Sequence, residues 1–168
     1  MDAKGILTEA FGRLPELVST AVQGLTPEQL RWQPGEGANS IGWLVWHLTR
    51  VQDDHVAEVM GADQIYATGG WAPRFGLKDA EETGYGHDAA QVAAVAPESA
   101  QVLEDYFAAV NERTIGYLAG LGEADLDRVV DERWDPPVTL GVRLVSVYDD
   151  DAQHAGQAAY VRGLIEGR

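Results

Sequence analysis

Apolar residues recur at three- and four-residue spacing through four long stretches of the chain, the period of a helix that buries one face. The first stretch runs from Asp2 to Gln23, with Ile6, Leu7, Ala10, Leu14, Leu17, Val18, Ala21 and Val22 in phase. Pro15 sits in its interior and predicts a kink. Thr26-Pro27-Glu28-Gln29 then combines an N-cap, a first-turn proline and a capping-box glutamine, which predicts a helical turn ending near Trp32. The second long helix is expected from Asn39 or Ser40, both good N-caps, to Met60, where Gly61 stops it. Its apolar set is Ile41, Leu44, Val45, Leu48, Val51, Val56 and Val59. The third is expected from Pro97 to Leu121, with Leu103, Phe107, Val110, Ile115 and Leu118 inward. Thr139 caps a fourth that runs to Glu166. Gly141 and Gly156 weaken it slightly or allow close packing.

Between the second and third helices the pattern breaks from Gly61 to Pro97, apart from a short helix over Asp88 to Ala94. The stretch holds Gly69-Gly70, Trp71-Ala72-Pro73-Arg74-Phe75-Gly76 and Thr83-Gly84-Tyr85-Gly86-His87. Its aromatic residues predict an ordered, functional loop rather than a disordered one. Leu126 to Trp134 reads as an extended or turn segment closed by Pro136-Pro137. With no internal repeat and no strand-rich region, the expectation is an all-α protein. It is a single domain over residues 1–168, an antiparallel four-helix bundle with a long crossover loop between helices two and three.

Composition narrows the partners. The 168 residues suit one domain, and 45% hydrophobic content supplies a real core. The net charge of -15, from 27 acidic against 12 basic residues, repels phosphate backbones and anionic membranes, so neither nucleic acid nor membrane is an expected partner. The charged, amphipathic N-terminal stretch is unlike a signal peptide, and the expected compartment is the cytoplasm. Cysteine is absent. Disulfides, thiolate ligands and a protein thiol nucleophile are thereby removed together, so a metal here must use His, Asp or Glu, and thiol chemistry must come from a small molecule.

The candidate chemistry lies in the four histidines. Asp150 and His154 are four apart on the fourth helix and share one face. His47, central on the second helix, completes a three-ligand site if the two helices are neighbours. Three protein ligands and an open position are the catalytic pattern for Zn2+, and the N/O set also accepts Ni2+, Co2+ or Mn2+. The pair alone is equally a plain i,i+4 interaction, and Asp149, Asp150 and Asp151 could form a solvated face. Against that, one of three consecutive acids must point inward near His154, and a buried carboxylate needs a charged partner. Arg143, eleven positions before His154, falls on the same stripe. It is a candidate to bind a substrate carboxylate, or a structural ion-pair partner. Trp43, one turn before His47, walls the pocket or packs the core. Gln157 and Tyr160 hydrogen-bond a ligand or each other. His55, eight after His47, is a weaker candidate for a fourth ligand and is expected, like Asp54, behind the ligands or at the surface; His87 is expected at the surface.

Ser40-Ile41-Gly42-Trp43-Leu44-Val45-Trp46-His47-Leu48 and Asp149-Asp150-Asp151-Ala152-Gln153-His154-Ala155-Gly156-Gln157-Ala158-Ala159-Tyr160 resemble the DinB-like superfamily, specifically its branch of mycothiol-dependent S-transferases and maleylpyruvate-isomerase-like proteins. Arg50-Val51-Gln52-Asp53-Asp54-His55 and Thr139 to Val147 extend the likeness over nearly the whole chain. The resemblance implies a four-helix bundle with a divalent metal held by one residue of the second helix, here His47, and two of the fourth, here Asp150 and His154. Many relatives carry His at the first of those two places, and a carboxylate there is shared in kind with the thiol-dependent isomerase branch. It further implies transfer of a low-molecular-weight thiol, mycothiol, to an electrophilic substrate, and frequent homodimers. In such a reaction Arg143, from its place on the His154 stripe, is the expected catalytic residue and orients a substrate carboxylate, and Arg143, Trp43 and Tyr160 are the residues expected to bind the thiol cofactor. Isomerisation, hydrolysis by metal-activated water and a non-catalytic metal-binding stress protein remain alternatives.

Overall fold

The computed structural model describes residues 1–78 and 81–167. The described residues are mostly helical: α1 (Ala3–Val22), α2 (Pro27–Arg31), α3 (Ile41–Met60), α4 (Ile65–Thr68), α5 (Ala89–Ala94), α6 (Ala100–Gly120) and α7 (Leu140–Glu166). A two-stranded antiparallel ribbon, β1 (Val129–Asp131) with β2 (Val138–Thr139), precedes α7.

The local signals that open and close these helices act as their chemistry dictates. Asp2, Thr26, Ser40, Asp88, Ser99 and Thr139 each accept a backbone N–H of the first turn with a side-chain oxygen, and Thr26 and Asp88 do so within complete capping boxes. Gly61 ends α3 in the left-handed conformation, φ 66°. The third long helix starts at Ala100 rather than Pro97 because Ser99 is the residue that caps it.

The long helices pack pairwise: α1 against α6 and α7, and α3 against α6 and α7. Two inward assignments of the first helix are corrected. Ile6 and Leu17 are 58% and 45% exposed, whereas Leu7, Phe11, Leu14, Val18, Ala21 and Val22 form the buried stripe. Each exposed residue precedes a buried one by a single position, about 100° around the helix, so apolar character alone did not fix its face. The helix is continuous through Pro15.

The described part of the segment after α3 carries more regular structure than its broken pattern predicts. Besides α5 it contains α4 and a 3-10 turn, Ala72–Phe75. Its aromatics fill the core at one end of α3 and α6. Tyr66 and Phe75 are fully buried, and their rings lie 5.3 and 5.9 Å from that of Tyr106. The carboxylate of Asp53, itself fully buried, accepts the first amides of α4, Ile65 N at 3.0 Å and Tyr66 N at 2.8 Å. An acid from α3 therefore starts a helix in the following segment. No helix among the described residues is long and apolar enough to cross a membrane.

Candidate metal centre

α3 and α7 run antiparallel and in contact, so residues near the start of one face residues near the end of the other. Two pairs fix the register: the rings of His47 and His154 lie 4.8 Å apart, and Arg143 Nη1 meets His55 Nδ1 at 2.9 Å. Asp150, one turn before His154, joins the first pair. His47, Asp150 and His154 each bring a ligand atom to within 4.8 Å of the other two, a cluster that could hold a divalent metal. Atoms bound to one tetrahedral ion stand about 3.4 Å apart, so the three would close in by a little over 1 Å at most.

Both imidazoles have their proton assigned by a backbone carbonyl. His47 Nδ1 lies 2.6 Å from the oxygen of Thr83, and His154 Nδ1 lies 2.8 Å from that of Asp150. A carbonyl oxygen can only accept, so each Nδ1 carries the hydrogen and each Nε2 keeps its lone pair for a cation. This arrangement, one nitrogen donating to the protein and the other free, is the one that metal-binding histidines use. Burial lowers the pKa of His47 below the ordinary 6.5, which keeps it neutral and ligand-competent. At His154 burial acts in the same downward direction. The Asp150 carboxylate and carbonyl beside its Nδ1 outweigh that and hold its pKa above 6.5.

Asp150 provides the test of fit. Its Oδ2 is buried and accepts no hydrogen bond. His154 Nδ1 stands 3.4 Å from it but gives its proton to the backbone carbonyl instead. A carboxylate oxygen without a hydrogen bond, beside two imidazoles whose Nε2 atoms face no donor or acceptor of their own among the described residues, is a donor set suited to a divalent cation. Asp151 also turns inward: it is fully buried, neither oxygen has a hydrogen-bond partner, and burial pushes its pKa well above the usual carboxylate range.

Trp43 forms one wall. Its ring stacks on His47, with centroids 4.5 Å apart and planes 16° from parallel, and its Nε1 donates to His87 Nδ1 at 3.2 Å. That bond corrects the expected surface position of His87. Its side chain is only 5% exposed, it stacks on Trp46, and its Nε2 is 3.3 Å from a carboxylate oxygen of Glu82. The 81–87 segment thus covers His47. Gly84 makes this possible: it has φ +95°, and a β-carbon there would stand 2.6 Å from His47 Nδ1 and 2.9 Å from Trp46 Cζ3.

The other expected residues lie elsewhere. Arg143 is buried and held by three partners: Glu58 Oε2 at 2.7 Å, Asp131 Oδ2 at 3.2 Å and His55 Nδ1. None of these bonds is with His47, Asp150 or His154. His55 accepts from Arg143, and burial followed by the Arg143 charge lowers its pKa. Together with Asp54, Glu58 and Arg133 they line a cavity of about 400 Å³ on the α3–α7 seam. Tyr160 is 69% exposed, and no side-chain hydrogen bond joins it to Gln157. Thr83 and Gly84, whose backbone touches His47, carried no assigned role in the sequence. The available signal was glycine on both sides of Tyr85 within a loop that ends in histidine.

The family pattern described as the DinB superfamily matches residues 10–158. Among solved structures, a conserved protein of Enterococcus faecalis superimposes with a TM-score of 0.91, with 32% identity, over 100% of this chain and 99% of its own. No curated protein matches this chain significantly.

Proposed function

Because the chain belongs to the DinB superfamily, we propose that it is a divalent-metal-dependent S-transferase that joins a low-molecular-weight thiol, mycothiol, to an electrophilic small molecule. The observation that carries this reading is the meeting of His47, Asp150 and His154 with both Nε2 lone pairs and one carboxylate oxygen uncommitted. Two neutral imidazoles and one carboxylate would leave a Zn2+ site with a net charge of roughly +1, which favours an anionic sulfur. A metal ion held there would lower the pKa of the thiol and so supply thiolate at neutral pH. The chain has no cysteine, so its nucleophile is external.

The chain's own residues do the rest. Thr83 and the Asp150 carbonyl hold the two imidazole protons away from the cluster. Trp43 offers an apolar wall against which a thiol or acceptor can lie, and the 81–87 segment limits water at His47. Zn2+ is the favoured ion, with Ni2+, Co2+ and Mn2+ accepted by the same donors. We read the four long helices as an antiparallel bundle, and the active form as a homodimer.

The test uses purified protein, mycothiol and a fluorogenic alkylating electrophile, with and without chelator. Conjugation that chelation abolishes and added metal restores is expected. Tight stoichiometric metal without turnover would replace the transferase by a metal-binding module, and turnover of an ester or amide without thiol would replace it by a hydrolase. Absence of any bound metal would end the reading.

A further inference from the structure

Arg50 lies three residues beyond His47 on α3 and is fully buried. Its guanidinium reaches the backbone of the segment that covers His47. Nε donates to the carbonyl of Glu82 at 3.0 Å, and Nη2 approaches that of Glu81 at 3.5 Å. The next carbonyl along, that of Thr83, accepts the Nδ1 proton of His47. Gly84 then lies directly over the imidazole. Three successive carbonyls are thus committed, two to Arg50 and one to the candidate ligand.

The guanidinium is itself over-determined. Nη2 donates to Gln64 Oε1 at 2.9 Å, the group lies 4.3 Å above the ring of Tyr66, and Nη1 stands 3.6 Å from Asp53 Oδ2. Asp53 is fixed in turn by the α4 amides, by the hydroxyl of Tyr106 at 2.8 Å and by Arg113. A buried arginine held on so many sides has little freedom to follow a moving loop, so the loop must conform to it.

We propose that Arg50 is a positioning residue for His47, acting through the backbone of residues 81–84 to fix which imidazole nitrogen is free. Free imidazole side chains in water prefer the proton on Nε2, which is the wrong tautomer for a ligand using that nitrogen. Only an acceptor held at Nδ1 reverses the preference, and here the acceptor is a loop carbonyl whose neighbours Arg50 clamps. The consequence for metal affinity rests on His47 being a ligand, as proposed above. The tautomer is a property of the metal-free protein and does not.

The experiment compares wild type, Arg50→Lys and Gly84→Ala. Lysine keeps the charge but not the planar fork, and Gly84→Ala displaces the loop from the other side while leaving Arg50 intact. Metal-free protein is measured by long-range 1H–15N NMR of the histidine rings at pH 8, and the same samples are titrated with Co2+. Wild-type His47 is expected protonated on Nδ1. In both variants its proton moves towards Nε2, and Co2+ binds about 10- to 100-fold more weakly, the usual effect of removing an outer-shell partner. His154, held by its own helix carbonyl, keeps its tautomer and serves as the internal control. A folded Arg50→Lys protein with the wild-type His47 tautomer overturns the proposal. Should that variant not fold by circular dichroism, an unchanged tautomer in Gly84→Ala overturns it equally. Wild type that binds no Co2+ defeats the metal reading alone, because the tautomer shift decides the inference independently.

Discussion

His47 and His154 meet edge to face across the α3–α7 seam, their planes 71° apart, and the protein treats their charges oppositely. Burial favours the neutral form of His47, whereas the Asp150 carboxylate favours a second proton on His154, at the Nε2 that would meet a metal. A metal competes with that proton, so the pH dependence falls at His154. Co2+ affinity is therefore expected to be full well above pH 7 and to fall as pH drops through the raised pKa of His154. Titrations at pH 6, 7 and 8 check this, and affinity independent of pH over that range would contradict it. His154→Ala should abolish both the affinity and its pH dependence.

Asp150→Ala separates ligation from folding. Its Oδ2 has no partner, so the metal-free protein loses no hydrogen bond through that oxygen. The expected stability change without metal is small, within about 1 kcal/mol, because the lost attraction to His154 at 3.4 Å is offset by removal of a buried acceptor that no hydrogen bond satisfies. Metal content of the purified protein should nevertheless fall to near zero, and the pKa of His154 should drop, since the carboxylate is gone and only the backbone carbonyl still acts to raise it. Elemental analysis and NMR titration read the two effects. Equal metal in wild type and variant would remove Asp150 from the ligand set.

Arg143 answers a different question, because its partners make it structural before it meets any substrate. It bridges Glu58 on α3 and Asp131 on β1, and so ties the ribbon to the seam. Arg143→Ala leaves the buried Asp131 with only Arg133, whose side chain is largely exposed. The expected cost is about 2–3 kcal/mol in urea denaturation. That is below the full penalty for breaking a buried pair, because Glu58 is half exposed and Arg133 still shields Asp131. A stable Arg143→Ala protein with impaired use of an anionic substrate would instead restore the substrate-binding role.

Much of this was legible in the chain because capping is local. Thr26, Ser40, Asp88 and Thr139 each mark a helix start through bonds made within three residues. The cluster of His47 with Asp150 and His154 was accessible for a related reason: i,i+4 spacing fixes one face of α7, and only one long-range pairing had to be guessed. What escaped depends on contacts between distant segments. Ile6 against Phe11 is decided by which neighbour packs on α1. The burial of His87 needs Trp43 and Trp46 to be waiting for it. Arg50 and Asp53 are charged residues of α3 and become core residues only because residues 64–66 and 81–82 pack onto them.

Asp151 yields the last expectation, which separates it from the acid beside it. Fully buried, with both oxygens unpartnered, it is disfavoured as an anion, and its raised pKa records that penalty. The sign follows from linkage. In the unfolded chain the carboxyl ionises near pH 4, whereas in the fold it holds its proton longer. Between those two pKa values the unfolded state binds fewer protons, so rising pH costs stability. Asp151→Asn keeps the shape and removes the ionisation. It is expected to flatten the loss of stability above pH 5 and to raise the melting temperature of the metal-free protein at pH 8 by about 3 °C or more, the effect of roughly 1 kcal/mol in a chain of this size. Thermal melts of both proteins at pH 5 and pH 8 read the difference. A variant no more stable than wild type at pH 8 would mean that Asp151 has a compensating partner. Because Asp150 is untouched, Co2+ binding should survive the substitution.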